Sequence, residues 1–272
     1  MISVIIPAHN EAGYIGKCLD AVLASRGIAS AEVIVAANGC TDETAQIAES
    51  YAERFAKKGW RYCALDIAAP GKTEALNKAE VMATYPMRLF LDADVLVTPG
   101  LIAGIAGVLD RPEPAYASGM IVVTGEGATS RAYARFWARL PFMATGVPGC
   151  GVFAVNGLGR ARWSRFPDII ADDYYVRLLF SPSERHLVPA EFDWPVAEGF
   201  YRLVKVRRRQ NAGVAEIAHK FPELMTNEEI IPPAERSIMK LAGQDLSGFL
   251  VYGLVAFMCK ILPAPKGWDR GR

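Results

Sequence analysis

The sequence predicts an α/β fold built on a mostly parallel, doubly wound central sheet. Three observations carry that expectation. Short β-branched apolar runs alternate with stretches of helical periodicity over the first hundred or so residues. Polar clusters follow the first, second and fourth of those runs, where open α/β sheets bind their ligands. The chain has 272 residues, 51% of them hydrophobic, enough for one large domain or one domain with an appendage.

The elements follow in order. "ISVIIPA" (2–8) is strand-like. "NEAGYIGKCLDAVLASR" (10–26) has Ile15, Leu19, Val22 and Leu23 at helical spacing, with Asn10 placed to cap it. "AEVIVAA" (31–37) is a second strand, and "CTDETAQIAESYAERFAKK" (40–58) a second helix with Thr41 or Asp42 near its start. "WRYCALD" (60–66) and "GKTEALNKAEVMA" (71–83) continue the alternation as strand and helix. "RLFLDADVLV" (88–97) reads as a buried fourth strand with Asp92 and Asp94 inside it. Two acids two residues apart on a strand share a face. Burying them unpaired would cost several kcal/mol, so a cation or strong donors are expected beside them. Hard divalent cations such as Mg²⁺ or Mn²⁺ suit that donor set, completed by waters and substrate phosphates.

Beyond residue 115 the pattern is less regular. A strand is expected over 116–125, an arginine- and aromatic-rich helix over 130–144, and another helix over 172–180. Residues 181–200 read as loop and strand, 202–213 as a basic loop, 222–235 as a linker and 236–262 as apolar helix.

Composition narrows the function. The formal net charge of +1 gives no global field toward nucleic acid. Five scattered cysteines without a C-x-x-C pair suit free thiols in a reducing compartment. The N-terminal residues carry no basic run before the first apolar stretch and read as a strand rather than a signal peptide, so a cytoplasmic location is expected. No G-x-G-x-x-G opens a helix after the first strand, and no G-K-[ST] follows the glycine-rich stretch 146–160.

"SVIIPAHNEAGYIGKCLDAVLA", "EVIVAANGCTDETAQIA", "GKTEALNKA", "LFLDADV" and "ADDYYVRL", in that order and spacing, resemble the motif series of family 2 glycosyltransferases over about residues 2–180. The resemblance implies the GT-A fold, an αβα sandwich with a mostly parallel central sheet, here with a C-terminal helical appendage. It implies a GT-A domain over 1–221, with a nucleotide-binding half over about 1–98 and an acceptor half over about 99–221, then a linker and apolar helix over 222–272. The implied activity is metal-dependent, inverting transfer of a sugar from a nucleoside-diphosphate sugar, a UDP-sugar by preference, to a hydroxyl acceptor. Pro7, Ala8, Asn10 and Glu11 would edge the nucleotide. Asn38 would face the base, where the family often has aspartate. Lys72 would lie near the nucleotide, Asp92 would face the ribose or a metal-bound water, and Asp94 would ligate Mn or Mg. Asp173 would be the base that takes the acceptor's proton, with Asp172 behind it raising its proton affinity. The alternative for either acid is a cap on the helix that follows. Arg207, Arg208 and Arg209 would form a flexible clamp on the diphosphate. The family's Q-x-x-R-W motif is missing here, which favours a single transfer over processive synthesis. The rival readings are a non-catalytic sugar-nucleotide or lipid-binding relative and a sugar-phosphate nucleotidyltransferase; the latter's glycine-rich loop after the first strand is not present.

The C-terminal stretch bears on location. "LSGFLVYGLVAFMC" (246–259) is uncharged, and as a helix it would be about 21 Å long, too short for a hydrocarbon core of about 30 Å. Lys260, Lys266, Arg270 and Arg272 follow it, with Trp268 among them, and Arg131, Arg135 and Arg139 recur every four residues earlier in the chain. Both segments suit a protein lying on the inner face of a membrane, which would make a lipid-linked acceptor in envelope or exopolysaccharide synthesis the expected partner.

Overall fold

The computed structural model describes residues 1–144, 146–229 and 238–262. Lys266, Trp268, Arg270 and Arg272 lie outside them, as does part of the 222–235 stretch. The chain forms two compact units. The first comprises Met1–Met120, Gly149–Asp168 and Ser183–Phe192, and the second comprises the remaining segments.

The first unit opens with β1 (Ile2–Ala8), α1 (Ile15–Leu23), β2 (Ala31–Asn38), α2 (Thr44–Glu49), α3 (Ala52–Lys58), β3 (Arg61–Ile67), α4 (Lys72–Met82), β4 (Met87–Leu91), β5 (Leu96–Val97) and α5 (Leu101–Leu109). β6 (Tyr116–Thr124) starts in this unit, which also holds β7 (Val152–Val155), α8 (Gly157–Arg160) and most of β8 (Arg185–Pro195). Among the described residues the strands form one sheet of order β3-β2-β1-β4-β7-β6-β8-β5. The mostly parallel sheet expected from the alternation is present. Its parallel pairs are β1 with β2, β1 with β4 and β2 with β3; β7 runs antiparallel to both β4 and β6.

Every residue of β1 and β2 is buried, as expected of parallel strands covered on both faces. Each fully buried Ile or Val of these strands contributes roughly 1.5–3 kcal/mol. α1 buries Ile15, Cys18, Leu19 and Val22, the i, i+3, i+4, i+7 pattern of an amphipathic helix. It begins at Ile15 rather than near Asn10, and Tyr14 precedes it without a side-chain cap. Asn10 instead takes a left-handed conformation, φ 53°, which Asn tolerates better than most residues. The helix expected over 40–58 breaks in two around Ser50 and Tyr51, where the Ser50 hydroxyl donates back to the Ile47 carbonyl at 2.7 Å.

One departure matters for function. The stretch 88–97 is not a single strand: β4 stops at Leu91, Asp92–Val95 form a turn, and β5 is two residues long. The Val95 N–H donates to the Asp92 carbonyl at 3.1 Å. The two acids are therefore not same-face strand residues. Buried carboxylates are costly, and the chain leaves the sheet at the first of them.

The second unit holds α6 (Ala128–Trp137), α7 (Pro141–Ala144), α9 (Asp172–Leu178), α10 (Phe200–Lys220), α11 (Ile238–Gln244) and α12 (Leu246–Ile261). Its core gathers Tyr133, Trp137, Val196, Leu203, Val204 and Val255. Here too an expectation is corrected: the basic run 202–213 is no loop but the body of the 21-residue α10. Leu203, Val204, Gly213 and Ile217 form its buried side. Lys and Arg are good helix formers, and between these apolar positions they make the polar face of an amphipathic helix.

Candidate active site

The site builds from the carboxyl ends of β1, β2 and β4 in the first unit. After β1, the backbone of Glu11 donates to the Thr44 hydroxyl at 2.7 Å, and that of Ala12 to the Asp42 carboxylate at 3.1 Å. The Asn10 side-chain oxygen accepts from the Thr41 N–H at 2.7 Å. These bonds staple the "PAHNE" loop to the "NGCTDET" loop, so Pro7, Ala8, Asn10 and Glu11 sit on a braced edge. Asp42 is held below the ordinary carboxylate range; burial raises it, but bonds from Thr44 and Ala12 outweigh that.

Asn38 is the central clip. It is 2% exposed, and its Nδ2 donates to the Ala8 carbonyl at 2.8 Å and the Ala36 carbonyl at 3.3 Å. Its Oδ1 accepts from the Gly71 N–H at 3.0 Å. One side chain thus joins the ends of β1 and β2 to the start of α4. Gly39 follows with φ +55°, and a Cβ there would fall 2.7 Å from the Pro70 backbone nitrogen, so only glycine lets the two loops approach this closely.

The "DAD" turn is held from three sides. The Asp92 N–H donates to the Gly151 carbonyl at 2.9 Å. Lys72, the first residue of α4, places Nζ 2.9 Å from Asp92 Oδ1. The buried Cys18 thiol approaches the Asp92 carbonyl at 3.8 Å. Burial pushes the Cys18 thiol up strongly, and the charges of Asp94 and Asp92 push it further, so both carboxylates project their field to one place. The glycine-rich stretch, by sequence equally a ligand loop or a plain one, gives Asp92 its backbone partner at Gly151. Gly149 beside it has φ +70°, and a Cβ there would run into the Tyr116 hydroxyl. Thr44, Asp42 and Gly71 are further supports that periodicity does not reveal; the polar run after β2 signals the first two, and Gly71 is marked by its place directly before α4.

The donor set admits a divalent cation of the substrate-assisted kind. Among the described residues no group of three His, Cys, Asp or Glu side chains is placed to hold a metal. A cation at Asp94 and Asp92 would draw its remaining oxygens from a bound diphosphate and water, as Mg²⁺ and Mn²⁺ usually do.

The other expected site residues belong to the second unit. Asp172 and Asp173 are the first two residues of α9 and not its cap, which is Ala171. Asp172 is buried, and Asp173 Oδ1 accepts from the Tyr174 N–H at 2.8 Å. One turn on, Arg177 Nη1 meets Glu228 Oε1 at 3.0 Å and its Nε donates to the Val147 carbonyl at 3.1 Å, which fixes the helix. Of the arginine run, Arg207 points into the unit: Nη2 donates to the Tyr252 hydroxyl at 3.2 Å, and the guanidinium lies over the Trp137 and Tyr252 rings. Arg208 and Arg209 follow it on α10. The flexible loop that would have carried a clamp is a helix.

A mixed α/β sheet with a carboxylate turn at the end of its fourth strand, and helices following, defines the GT-A class of fold. A mannosyltransferase from Pyrobaculum calidifontis, solved with GDP-Man and Mn²⁺, matches with a TM-score of 0.61 at 20% identity, over 94% of this chain and 73% of that one. Glucosyl-3-phosphoglycerate synthase from Mycobacterium tuberculosis, with Mn²⁺, UDP and phosphoglyceric acid, gives 0.54 at 19% identity, over 81% and 78%. The chain belongs to glycosyl transferase family 2, whose model matches residues 3–159. Among curated relatives, a 4,4'-diaponeurosporenoate glycosyltransferase of Staphylococcus aureus is 27% identical over 196 residues, 69% of this chain and 48% of that protein. A validoxylamine A glucosyltransferase of Streptomyces hygroscopicus is 28% identical over 116 residues, 42% of this chain and 27% of that protein. The chain thus spans about half the length, or less, of the curated relatives it matches.

Proposed function

We propose that this protein transfers a sugar from a nucleoside-diphosphate sugar, UDP-linked, to a hydroxyl acceptor with inversion at C1. The observation that carries the reading is the Asp92–Asp94 turn beside the stapled β1 and β2 loops, with the Lys72 ammonium at Asp92. The relatives named as glycosyltransferases support it.

In this reading Pro7, Ala8, Asn10 and Glu11 line the nucleotide, and Asn38 shapes that edge through its backbone bonds. Asp94, with Asp92, would hold Mn²⁺ or Mg²⁺. The cation supplies positive charge to the diphosphate as it leaves. Lys72 adds a second positive charge near those oxygens. Asp173 takes the proton from the acceptor hydroxyl while that oxygen attacks C1. The bond from C1 to the phosphate oxygen breaks, and its electron pair leaves with the nucleoside diphosphate. Asp172, buried and next to Asp173 in the first turn of α9, sets its charge environment. With Arg207 engaged by Tyr252, Arg208 and Arg209 are the members of the basic run proposed to meet the diphosphate. A GT-A domain over 1–221 followed by a helical appendage is the division this reading implies.

Among the described residues no helix is long and apolar enough to cross a membrane. The apolar α12 supports a peripheral place on the inner membrane face and an acceptor carried on a lipid.

The test is a donor screen. UDP-, GDP- and dTDP-sugars are incubated with the protein and Mn²⁺, and release of nucleoside diphosphate is measured. UDP-sugar turnover lost on chelation is expected. No release from any donor, or tighter binding of GDP than UDP, would refute the activity or the base respectively.

A further inference from the structure

From Gly248 to Cys259 α12 carries no charged side chain on any side, yet only one side is covered. Gly248 and Val255 are buried, and Val251, Tyr252 and Met258 pack against the aromatic core of the second unit. On the opposite side Leu246, Leu250, Leu254, Phe257 and Ile261 are 52 to 64% exposed. Their spacings of four, four, three and four residues stack them into one stripe along the helix. A contiguous apolar stripe of this kind on a folded surface marks a contact with something else. The helix has 16 residues, about 24 Å, so the stripe can lie along a bilayer but not cross one.

Charge decides which contact. In α6, α11, α12 and the turns joined to them, Arg131, Arg135, Arg139, Lys240 and Lys260 are all exposed. Among the described residues of that set the acids are Asp245, whose side chain is 9% exposed, and Glu126, exposed in the turn before α6. Glu198, bound to the N–H groups of that turn, also acts on Arg131. Arg135 reaches Asp245 at 3.3 Å and the Ser247 hydroxyl at 3.2 Å, and Arg139 reaches Asp245 at 4.0 Å. The basic face of α6 therefore borders the start of the stripe, and Lys260 flanks its far end. Cations rimming an apolar strip complement an acidic lipid surface, with side chains entering the acyl boundary and guanidinium and ammonium groups meeting headgroup phosphates.

We infer that the Leu246–Ile261 stripe is the face by which this protein docks on an acidic membrane surface, with α6 supplying the headgroup contacts. This rests on the peripheral location proposed above and names the surface that achieves it.

The test is flotation with phosphatidylcholine vesicles, with and without phosphatidylglycerol, beside light scattering in solution. Wild type is expected to float with the acidic vesicles and to release at high salt. Leu250→Glu with Phe257→Glu changes two exposed positions, should keep the thermal transition, and should weaken flotation about tenfold or more. Lys260→Gln should weaken it by a smaller factor. Wild type staying off acidic vesicles, or the double variant floating equally, would overturn the inference. A wild-type dimer that the double variant converts to a monomer, with neither floating, would assign the stripe to a second copy and overturn it equally. Donor turnover without vesicles is measured in parallel. Its loss in wild type alongside intact flotation would refute sugar transfer and leave the docking face standing.

Discussion

Lys72 Nζ lies 2.9 Å from Asp92 Oδ1, and the two side chains are 33% and 34% exposed. The pair joins the first residue of α4 to the end of β4. An ion pair this exposed contributes about 1 kcal/mol or less to stability, so its geometry matters more for binding than for folding. The ammonium stands where the positive end of the α4 dipole adds to it. Lys72→Met should therefore weaken UDP binding roughly ten- to a hundredfold, the worth of a charge-assisted bond, while the melting temperature barely moves. Calorimetric titration with UDP and Mn²⁺ checks both halves; unchanged affinity would remove Lys72 from the site.

Asp94→Ala separates the cation from the nucleotide. The variant should bind UDP weakly and to the same extent with and without Mn²⁺, because the carboxylate that would hold the cation is gone. Titrations with and without Mn²⁺ read this directly, and a retained metal response would move the cation elsewhere.

Asp173→Asn removes a proton acceptor and keeps the shape. Transfer should fall about 10²- to 10⁴-fold, the usual weight of a general base, with UDP affinity unchanged. Near-normal transfer by this variant, together with a collapse in Asp172→Asn, would reassign the base to Asp172.

Asn38→Asp tests the clip. The substitution sets carboxylate oxygens against the Ala8 and Ala36 carbonyls that Nδ2 now serves. Leaving those buried acceptors unmade costs about 1–3 kcal/mol, with added repulsion above the carboxyl's pKa. The unfolding free energy from urea titration should drop by that amount, lowering the midpoint, and recover in part on acidification, as a protonated carboxyl regains a donor. An unchanged midpoint would show that the clip does not hold the loops.

Glu32 gives the fold an acid-sensitive point. It is 3% exposed. Burial pushes its carboxyl up, but bonds from Ser3, Thr84 and Tyr85 outweigh burial and hold it below its ordinary value. A depressed folded pKa contributes stability above the unfolded value, lost as pH falls through the folded one. Urea unfolding from pH 7 down to about 3 should show this loss in wild type and a flatter profile in Glu32→Gln.

The strands β1, β2 and β3 were legible to within a residue or two; β1 and β2 because runs such as "ISVIIPA" are mostly apolar and buried on both faces, β3 by the alternation alone, since only its Ile67 is buried. The order of polar clusters at strand ends was legible for the same reason, since a parallel sheet puts them at one edge. Partners distant in sequence were not. Asn38 read as a base contact, but its amide is taken up by Ala8, Ala36 and Gly71, the last 33 residues away. "RLFLDADVLV" read as one strand, because period-2 logic assigns faces but does not see that Gly151 and Lys72 draw Asp92 into a turn. The arginine run read as a loop, since its charges hide the Leu203, Val204 and Ile217 side that the aromatic core makes helical. In α12 the sequence by itself determined an apolar helix too short to span a bilayer. Only the tertiary structure decided which side of it is buried, because the faces of a helix with no charged side chain from Gly248 to Cys259 are chemically alike until a neighbour covers one of them.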